Sequence, residues 1–364
     1  MPNRRKLLLA AGLSSCALPC VQAARQPKQP HVVVIGAGGA GLAAAAEAAR
    51  CGALVTVLEK QNAVGGDTLI SGGFYAAVDP KRQIPQGISD SIERFTADIL
   101  ESGGDKSDPR LAQILARGAG AMLEQLESLG MRFQPDVIEI YGAHWPRCHK
   151  PMMPNGVGYI QALHSEALRR GAQIRTNCQV TGLILNPAGN VSAVRYTSHK
   201  KIYKMRANAV IIASGGFGAN TKMVARYQPK LAMLTTDNTP GSTGEMLEIA
   251  VRDCRAKLID MAEIQCLPGC PADRKHRVRL HNDVSRFIFV DPSGRRFCRE
   301  DERRDVLRDT VLSLPGGIAY SITDAAGLRS YDILIQKEAV LGVETGDAWS
   351  SSTLEGLAKM MKLP

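Results

Sequence analysis

The residues best suited to chemistry are three glycines near the start of the chain and an acidic residue that follows them. Gly36, Gly38 and Gly41 come directly after an apolar run at residues 32–35, and Glu59 ends the next apolar run. Gly36 allows a tight turn, Gly38 lets the backbone approach a pyrophosphate, and Gly41 lets the following helix pack on the strand. The N-terminus of that helix would offer amides and a partial positive charge to phosphates, while Glu59 could accept ribose hydroxyls. This pattern predicts a dinucleotide site.

Further glycine clusters narrow the ligand to a flavin. Residues 65–68 read Gly-Gly-Asp-Thr, residues 71–73 read Ser-Gly-Gly, and residues 213–216 read Ala-Ser-Gly-Gly. Backbone amides in such clusters can approach a flavin closely because no side chain intervenes. Each cluster taken alone could be an ordinary loop, but their order along the chain favours the functional interpretation.

The elements that position these residues follow from hydrophobic periodicity and from turn residues. A β-branched run at 32–35 indicates a central parallel strand, small residues at 39–51 indicate a helix that Gly52 ends, and residues 54–58 indicate a second strand. Later patterns predict helices at 109–129 and 159–170 and strands at 173–176, 179–185, 191–197, 201–206 and 209–213. The apolar face predicted for the helix at 109–129 consists of Leu111, Ile114, Leu115, Met122, Leu126 and Leu129.

After about residue 263 the sequence no longer shows this pattern of predicted strands and helices. A strand at 286–290, a turn at 291–294, a returning strand at 296–298 and a helix at 303–312 indicate a second domain laid over the first. We therefore expect a leader and linker at 1–30, a FAD-binding domain at 31–262, and a partial capping domain at 263–364.

The composition suits a soluble α/β protein. The chain has 364 residues, 45% of them hydrophobic, and a formal net charge of +10, which favours anionic partners or serves only solubility. Its basic residues form no long run with interleaved aromatics, so we expect no nucleic-acid binding. The nine cysteines do not form a disulfide framework, and the close pair Cys266 and Cys270 lacks metal-site spacing. We expect no metal.

The N-terminus has the pattern of a targeting segment. Arg4 and Arg5 precede an apolar stretch at 7–18 that is too short to span a bilayer. Residues 21–23 fit a signal-peptidase site, and the arginine pair resembles a twin-arginine export signal. We therefore expect a periplasmic or otherwise exported protein. A lipoprotein anchored through Cys16 is the alternative.

These motifs resemble the flavoproteins of the fumarate reductase and flavocytochrome c family, which also includes urocanate reductase and 3-ketosteroid dehydrogenases. The resemblance starts at about residue 31 and includes further motifs at 149–151, 243–245, 294–297 and 300–305. It implies an α/β fold in which a Rossmann-like FAD-binding domain, with a parallel sheet and an antiparallel meander, carries an incomplete α+β capping domain for the substrate. Motifs and resemblance together predict the cofactor-binding residues Gly36, Gly38, Gly39, Ala40, Gly41, Glu59, Lys60, Gly65, Gly66, Asp67, Thr68, Ser71, Gly72, Gly73, Val180, Ala213, Ser214, Gly215 and Gly216.

The resemblance also implies the chemistry. The family's membrane-bound members attach FAD through a histidine after the glycine pair, whereas residues 67–69 here read Asp-Thr-Leu, so non-covalent FAD is expected. Hydride passes between flavin N5 and an activated C=C bond, and an arginine of the capping domain delivers a proton. The motif match places that catalytic arginine at Arg304. The alternative for Arg304 is a surface salt bridge with Asp301 or Asp305.

The substrate positions depart from those of fumarate-type members. Leu267 stands where those members have a histidine, and Arg279 and Leu280 stand where they have threonine and glutamate. An unsaturated carboxylic acid other than fumarate is therefore the expected substrate, with a cytochrome or another protein as electron donor. The basic run at 274–279 could bind an anion, but a solvated loop is the preferred interpretation.

By resemblance, a segment that returns to the flavin domain should follow Pro364. A separate chain could supply that segment. Otherwise the sequence describes a truncated, catalytically silent flavin-binding fragment. A third possibility is an enzyme similar to 3-ketosteroid dehydrogenases, for which a tyrosine-based acid/base pair is expected.

Overall fold

The computed structural model describes residues 29–140, 142–269, 276, 278–281 and 283–364. The predicted leader up to residue 28, Cys270 and residues 274, 275 and 277 of the basic run lie outside the described residues. Among the helices of the described ranges, none is both long and apolar enough to cross a membrane.

Strands and helices are interspersed along the chain before the meander. In the described residues the strands are β1 (His31–Ile35), β2 (Leu54–Leu58), β3 (Tyr75–Ala76), β4 (Phe133–Ile138), β5 (Cys148–Pro151), β6 (Gln173–Arg175), β7 (Gln179–Leu185), β8 (Val191–Ser198), β9 (Lys201–Arg206), β10 (Ala209–Ile212), β11 (Phe287–Val290) and β12 (Tyr320–Thr323). The α-helices are α1 (Gly39–Arg50), α2 (Gly66–Ile70), α3 (Pro80–Gln83), α4 (Ile92–Ser102), α5 (Pro109–Ser128), α6 (Val157–Arg169), α7 (Thr221–Tyr227), α8 (Glu245–Cys254), α9 (Arg304–Ser313), α10 (Ala325–Ser330), α11 (Ile333–Thr345) and α12 (Leu354–Met361).

A parallel sheet of order β10-β1-β2-β6 forms the centre of the molecule. β1 pairs with β2 on one side and with β10 on the other, so both of its edges are hydrogen-bonded. Val33 and Val34 have no exposed surface because their side chains enter the two cores that cover opposite faces of this sheet. This arrangement confirms the predicted parallel sheet.

An antiparallel meander interrupts the sheet where the sequence predicts it. β7, β8 and β9 pair in chain order between β6 and β10. A smaller sheet of order β3-β5-β4 follows the glycine clusters. The mixed α/β architecture is therefore as expected.

The first helix after the glycine turn packs closely because its buried residues are small. Apart from Leu42, the buried side of α1 consists of Gly41, Ala45 and Ala46. This narrow face lets α1 lie between the sheet and α6. The glycine turn is thereby held in place by the core on both of its flanks.

The predicted apolar face of α5 is largely wrong. Leu126 is buried, but Leu111, Ile114 and Leu115 are 66%, 68% and 56% exposed. The buried residues of the helix are Ala112, Ala116, Ala119, Leu123 and Leu126. Small side chains allow α5 to approach its neighbours closely, so the alanine side faces the core instead of the larger aliphatic residues.

The predicted returning strand at 296–298 is also absent from the described residues. β11 pairs with β12, and the segment after the turn makes only a bridge between Val290 and Arg296. The carboxylate of Glu300 explains this difference, because it accepts a hydrogen bond of 3.0 Å from the Phe289 amide and also pairs with Arg296. Glu300 thus takes the place of the partner strand.

Candidate cofactor site

The turn between β1 and α1 has the geometry that its glycines predict. Gly36 has a φ of +102°, and its amide donates to the Leu58 carbonyl at 2.9 Å. A Cβ at Gly41 would collide with the carbonyl oxygen of Gly36. Gly38 caps α1 without a side-chain bond, and the first turn carries no acidic residue. The first-turn amides lack partners within the helix, so this end suits an anion.

Glu59 points its carboxylate at this turn. One of its oxygens accepts the Ala37 amide at 2.7 Å, the other accepts the Gln61 amide at 2.8 Å, and only 8% of the residue is exposed. A carboxylate has about four acceptor sites, so it can still accept ribose hydroxyls. The main chain of Glu59 also receives the Cys178 amide, which brings the buried Val180 of β7 close to the turn.

The second glycine cluster lies directly against the first. Gly65 forms a parallel bridge with Gly38, and its amide donates to the Ala37 carbonyl at 2.9 Å. The hydroxyl of Thr68 accepts the Gly39 amide at 3.2 Å. The segments 36–41 and 65–68 therefore form one continuous surface of main chain.

The third cluster continues this surface and contacts a segment that the sequence analysis missed. The Ser71 hydroxyl donates to the Thr68 carbonyl at 2.8 Å and accepts the Gly73 amide at 3.3 Å. A Cβ at Gly73 would collide with the carbonyl of Asn155, and a Cβ at Gly156 would collide with that of Thr68. The Asn-Gly pair is a turn signal, but its sequence gives no indication of this neighbour.

The last cluster lies across β1 from Glu59. The Ala213 amide donates to the Ile35 carbonyl at 2.8 Å. Gly215 and Gly216 have no atom within 4 Å of the position that a Cβ would take, so open space lies beside them. Glycine turn, carboxylate and open main chain meet at the carboxyl ends of β1, β2 and β10. These residues fit a dinucleotide with a pyrophosphate and a ribose.

The Asp67 side chain is directed to a loop rather than to open space. It accepts the Thr239 amide at 2.7 Å, the Asn238 amide group at 3.0 Å and the Ser242 hydroxyl at 2.5 Å. Burial alone would raise the pKa of Asp67, but these hydrogen bonds hold it below its usual value. Asp67 can therefore reach a cofactor only through its main chain, while its side chain fixes the loop at 238–242.

Lys60 is bound to the continuation of the same loop. Its ammonium group donates to Glu245 at 2.6 Å and to the Thr243 hydroxyl at 2.9 Å. The loop at 238–245 thus borders the cofactor surface, although its own sequence carries only the Thr-Gly-Glu motif. Lys60 and Asp67 are the two residues that bring it there.

Arg304 is the first residue of α9, which follows the N-cap residue Arg303. Two acidic residues near Arg304 in sequence, Asp301 and Asp305, pair with Arg299 and Arg303, both at 2.7 Å. A cation is disfavoured at a helix N-terminus, so its presence there calls for a local reason.

Arg304 lies beside the small sheet that continues from the third glycine cluster. Its Cγ is 3.2 Å from the position of a Cβ at Gly142. Burial raises the pKa of the Cys148 thiol to about 11, while the charges of Arg147 and Arg304 act in the opposite direction. Cys148 belongs to β5, which pairs with β3 immediately after Gly73. Arg304 therefore lies beside the segment that follows β4 and within electrostatic reach of β5.

The burial of Arg279 contradicts, at this residue, the prediction that the basic run at 274–279 is a solvated loop. The residue is only 9% exposed, and its guanidinium makes two hydrogen bonds to Glu338 at 2.9 and 2.5 Å. A third bond of 3.1 Å reaches the side-chain oxygen of Asn155. Arg279 therefore joins the capping region to the segment beside Gly73.

Comparison with known proteins assigns a family to this geometry. Residues 31–335 match the family model described as FAD binding domain. A urocanate reductase from Eggerthella lenta is 36% identical over 314 residues, which cover 83% of this chain and 51% of the relative. The open conformation of a flavocytochrome c3 fumarate reductase is 29% identical with a TM-score of 0.71, covering 93% of this chain and 59% of that one.

A further solved structure shares the fold. A 3-ketosteroid-delta4-(5alpha)-dehydrogenase from Rhodococcus jostii RHA1 has a TM-score of 0.70 at 23% identity, covering 94% of this chain and 76% of that one. The chain spans about half the length of the curated relatives it matches. The predicted fold and FAD as the cofactor are confirmed. The chain therefore belongs to the FAD binding domain family, as its resemblance to fumarate reductase and flavocytochrome c flavoproteins predicts.

Proposed function

We propose that this chain is a FAD-dependent oxidoreductase that acts on the C=C bond of an unsaturated carboxylic acid other than fumarate. The observation that carries the proposal is the meeting of the glycine turn, Glu59 and the clusters at 65–68 and 213–216 at one end of the parallel sheet. FAD supplies hydride transfer when it is bound. The chain's own residues would bind FAD, orient the substrate and deliver a proton to it.

The chain would hold FAD without a covalent bond. The amides of the first turn of α1 would hold the pyrophosphate, and the carboxylate of Glu59 would accept ribose hydroxyls. The main chain at 65–68 and 71–73, Val180 and residues 213–216 would complete the cofactor-binding set. Residues 67–69 contain no histidine, which supports non-covalent binding.

We assign proton delivery to Arg304. Negative charge develops on the α-carbon and its carboxyl group as hydride reaches the β-carbon, so a cation must face the carboxyl group and a proton source must face the α-carbon. Arg304 is half-buried and lies beside the sheet that continues from Gly73.

The assignment of a substrate other than fumarate rests on the capping region. Leu267 offers no donor to a carboxylate, and the Arg279 guanidinium is already bound to Glu338 and Asn155. The relative named urocanate reductase supports an unsaturated acid with a larger group on the β-carbon, the alkene carbon remote from the carboxyl group.

Location and partners are further parts of the proposal. The sequence pattern of residues 1–28 supports export, with a lipid anchor at Cys16 as the alternative. A cytochrome or another redox protein would deliver electrons, as the flavocytochrome neighbour suggests. A separate chain could complete the cofactor site, because the curated relatives are about twice as long as the matched segment.

Anaerobic reoxidation tests the proposal. The purified protein, loaded with FAD and chemically reduced, is mixed with unsaturated acids while flavin absorbance is followed. We expect at least one acid to reoxidise the flavin and to be recovered as the saturated product. Failure with every acid, also after candidate partner chains are added, would favour the catalytically silent fragment.

The tyrosine-based alternative has less support in the described residues. Tyr75 and Tyr159 stack near Gly73, but their hydroxyls donate to the carbonyls of Ala119 and Gly73 at 3.1 and 2.7 Å. Burial raises the pKa of both phenols. Both tyrosines therefore act as structural donors rather than as an acid/base pair.

A further inference from the structure

A buried arginine connects the capping region with the cofactor surface. Arg279 precedes β11, while its partner Glu338 lies on α11, so the bidentate pair is internal to the capping region. The third bond leaves this region and ends at Asn155. The backbone of Asn155 touches Gly73, which belongs to the third glycine cluster. Arg279 therefore lies at the boundary between the capping region and the third glycine cluster.

The charged groups around Arg279 differ from those expected around a guanidinium that is free to bind an anion. Burial alone would lower the pKa of the guanidinium, but Glu338, Asp332 and Asp237 raise it above its usual value. Three carboxylates thus act on one guanidinium, and the nearest of them makes two direct bonds. A second carboxylate brought to this point would meet like charges, while three of the five N–H groups of the guanidinium already donate to Glu338 and Asn155.

Residues next to Arg279 and Glu338 are also held by hydrogen bonds within the protein. Asp332 is fixed as the N-cap of α11, where it accepts the amides of Leu334 and Ile335 at 3.0 and 3.1 Å. Leu280, the residue after Arg279, contributes an apolar side chain and a carbonyl that accepts the Tyr331 hydroxyl at 3.1 Å. The Asp332 carboxylate and the Leu280 carbonyl are therefore both hydrogen-bonded within the protein.

We propose that Glu338 masks Arg279 and thereby makes this end of the cleft select unsaturated monocarboxylates over dicarboxylates. The inference rests on the proposed function and specifies its substrate class. Arg279 acts as a specificity-determining residue, because its charge is present in the cleft but is committed to Glu338. Selection arises mainly from repulsion of a second carboxylate and not from a new attraction.

Crotonate and fumarate provide a matched pair for the test. Both are four-carbon trans acids, and they differ by a methyl group in place of the second carboxylate. Their dissociation constants are measured with the FAD-loaded protein by calorimetry and by perturbation of the oxidised flavin spectrum, so that turnover is not required. We expect the wild-type protein to bind crotonate at least about tenfold more tightly than fumarate.

Substitution of the masking residue should change this preference. Glu338→Gln keeps the shape of the side chain and removes its charge, so the guanidinium becomes available to a second carboxylate. The dissociation constant of fumarate should fall about tenfold, while that of crotonate changes little. Glu338→Asp, which keeps the charge but shortens the side chain, provides a second variant if Glu338→Gln fails to fold. It should lower the dissociation constant of fumarate by a smaller factor.

The control is Glu344→Gln on the same helix. Glu344 is exposed, so its substitution removes the same charge without touching Arg279. An equal gain in fumarate affinity in both variants would overturn the proposal, because the gain would then reflect net charge alone. Equal wild-type affinity for the two acids would also overturn it, whereas failure of crotonate to bind would overturn the proposed function as well.

Discussion

Glu59 contributes to both the fold and the proposed cofactor site through one carboxylate. Burial of a carboxylate is costly unless donors face it, and here the amides of Ala37 and Gln61 supply them. The residue was predictable because its motif is local in sequence. The bond between Arg279 and Asn155 was not predictable, because it joins positions 124 residues apart.

Replacement of Glu59 by glutamine should weaken FAD binding. An amide group would present two donors to a position that requires acceptors for both main-chain amides and ribose hydroxyls. We expect a loss of about 1–3 kcal/mol in FAD affinity, or roughly ten- to hundredfold. Flavin fluorescence titration measures it, with Glu47→Gln on the exposed side of α1 as control. Equal affinities for the two variants would exclude Glu59 from the site.

Replacement of Arg304 by glutamine should stop proton delivery and leave FAD bound. General acid catalysis contributes about 10²- to 10⁴-fold, so kcat should fall by that factor. Steady-state turnover and the flavin spectrum are measured on the same sample. Arg299→Gln is the control, since this exposed arginine pairs only with Asp301 among the bonds that the structure gives it. Retained turnover in Arg304→Gln would return Arg304 to a structural role.

At the scale of elements, the loop at 238–245 depends on α2 and on the residue after β2. Asp67 and Lys60 supply the contacts that hold it beside the glycine clusters. The sequence predicted both residues as part of the site, but it could not show that their side chains act through a loop about 170 residues later. Such contacts depend on tertiary packing rather than on local pattern.

Asp67→Asn should weaken this loop in a pH-dependent manner. The pKa of Asp67 is lowered in the folded protein, so the ionised carboxylate adds stability above its unfolded pKa of about 3.9. That contribution is lost as the pH falls through the lower folded pKa. At pH 7 the variant should therefore be less stable by about 1–3 kcal/mol, with a difference that shrinks in strong acid.

Urea unfolding at pH 7 and at low pH measures this difference, with the exposed Asp136→Asn as control. A stability loss that is the same at both pH values would show that the charge of Asp67 does not hold the loop.

α5 shows why the pattern of large aliphatic residues can mislead. The helix was placed correctly by Asp108 and Pro109, which form its N-cap and first turn. Its orientation was wrong because the alanine face permits the closest approach to the core. Periodicity identifies a helix, but the competition between its faces is decided by packing against other elements.

Two alanine substitutions on α5 should separate these faces. Leu123 is 2% exposed, so Leu123→Ala should cost about 2–5 kcal/mol through loss of buried surface and the cavity that remains. Ile114 is 68% exposed, so Ile114→Ala should change the free energy of unfolding by less than about 0.5 kcal/mol. Urea unfolding of both variants checks the prediction. A large loss in Ile114→Ala would mean that the aliphatic side of the helix is covered in solution.

At the scale of the whole molecule, main chain dominates the cofactor site. Three glycine clusters, the N-terminus of α1 and one carboxylate meet where β1, β2 and β10 end. The fold could be predicted because a strand, a glycine turn and a helix are adjacent in sequence, while the cofactor-binding residues stay a prediction. The pairing of β11 with β12 and the hydrogen bonds of Arg279 could not be predicted, because they depend on contacts made by the capping region. The domain boundary at about residue 263 stays a prediction.

The most direct test of the central claim compares two flavins as ligands of the protein without cofactor. FAD carries the diphosphate and the second ribose that the glycine turn and Glu59 are expected to hold, whereas FMN shares only the flavin part. Fluorescence titration should show one FAD per chain and an affinity at least about a hundredfold above that for FMN. FAD bound no more tightly than FMN, or not bound at all, would contradict the account.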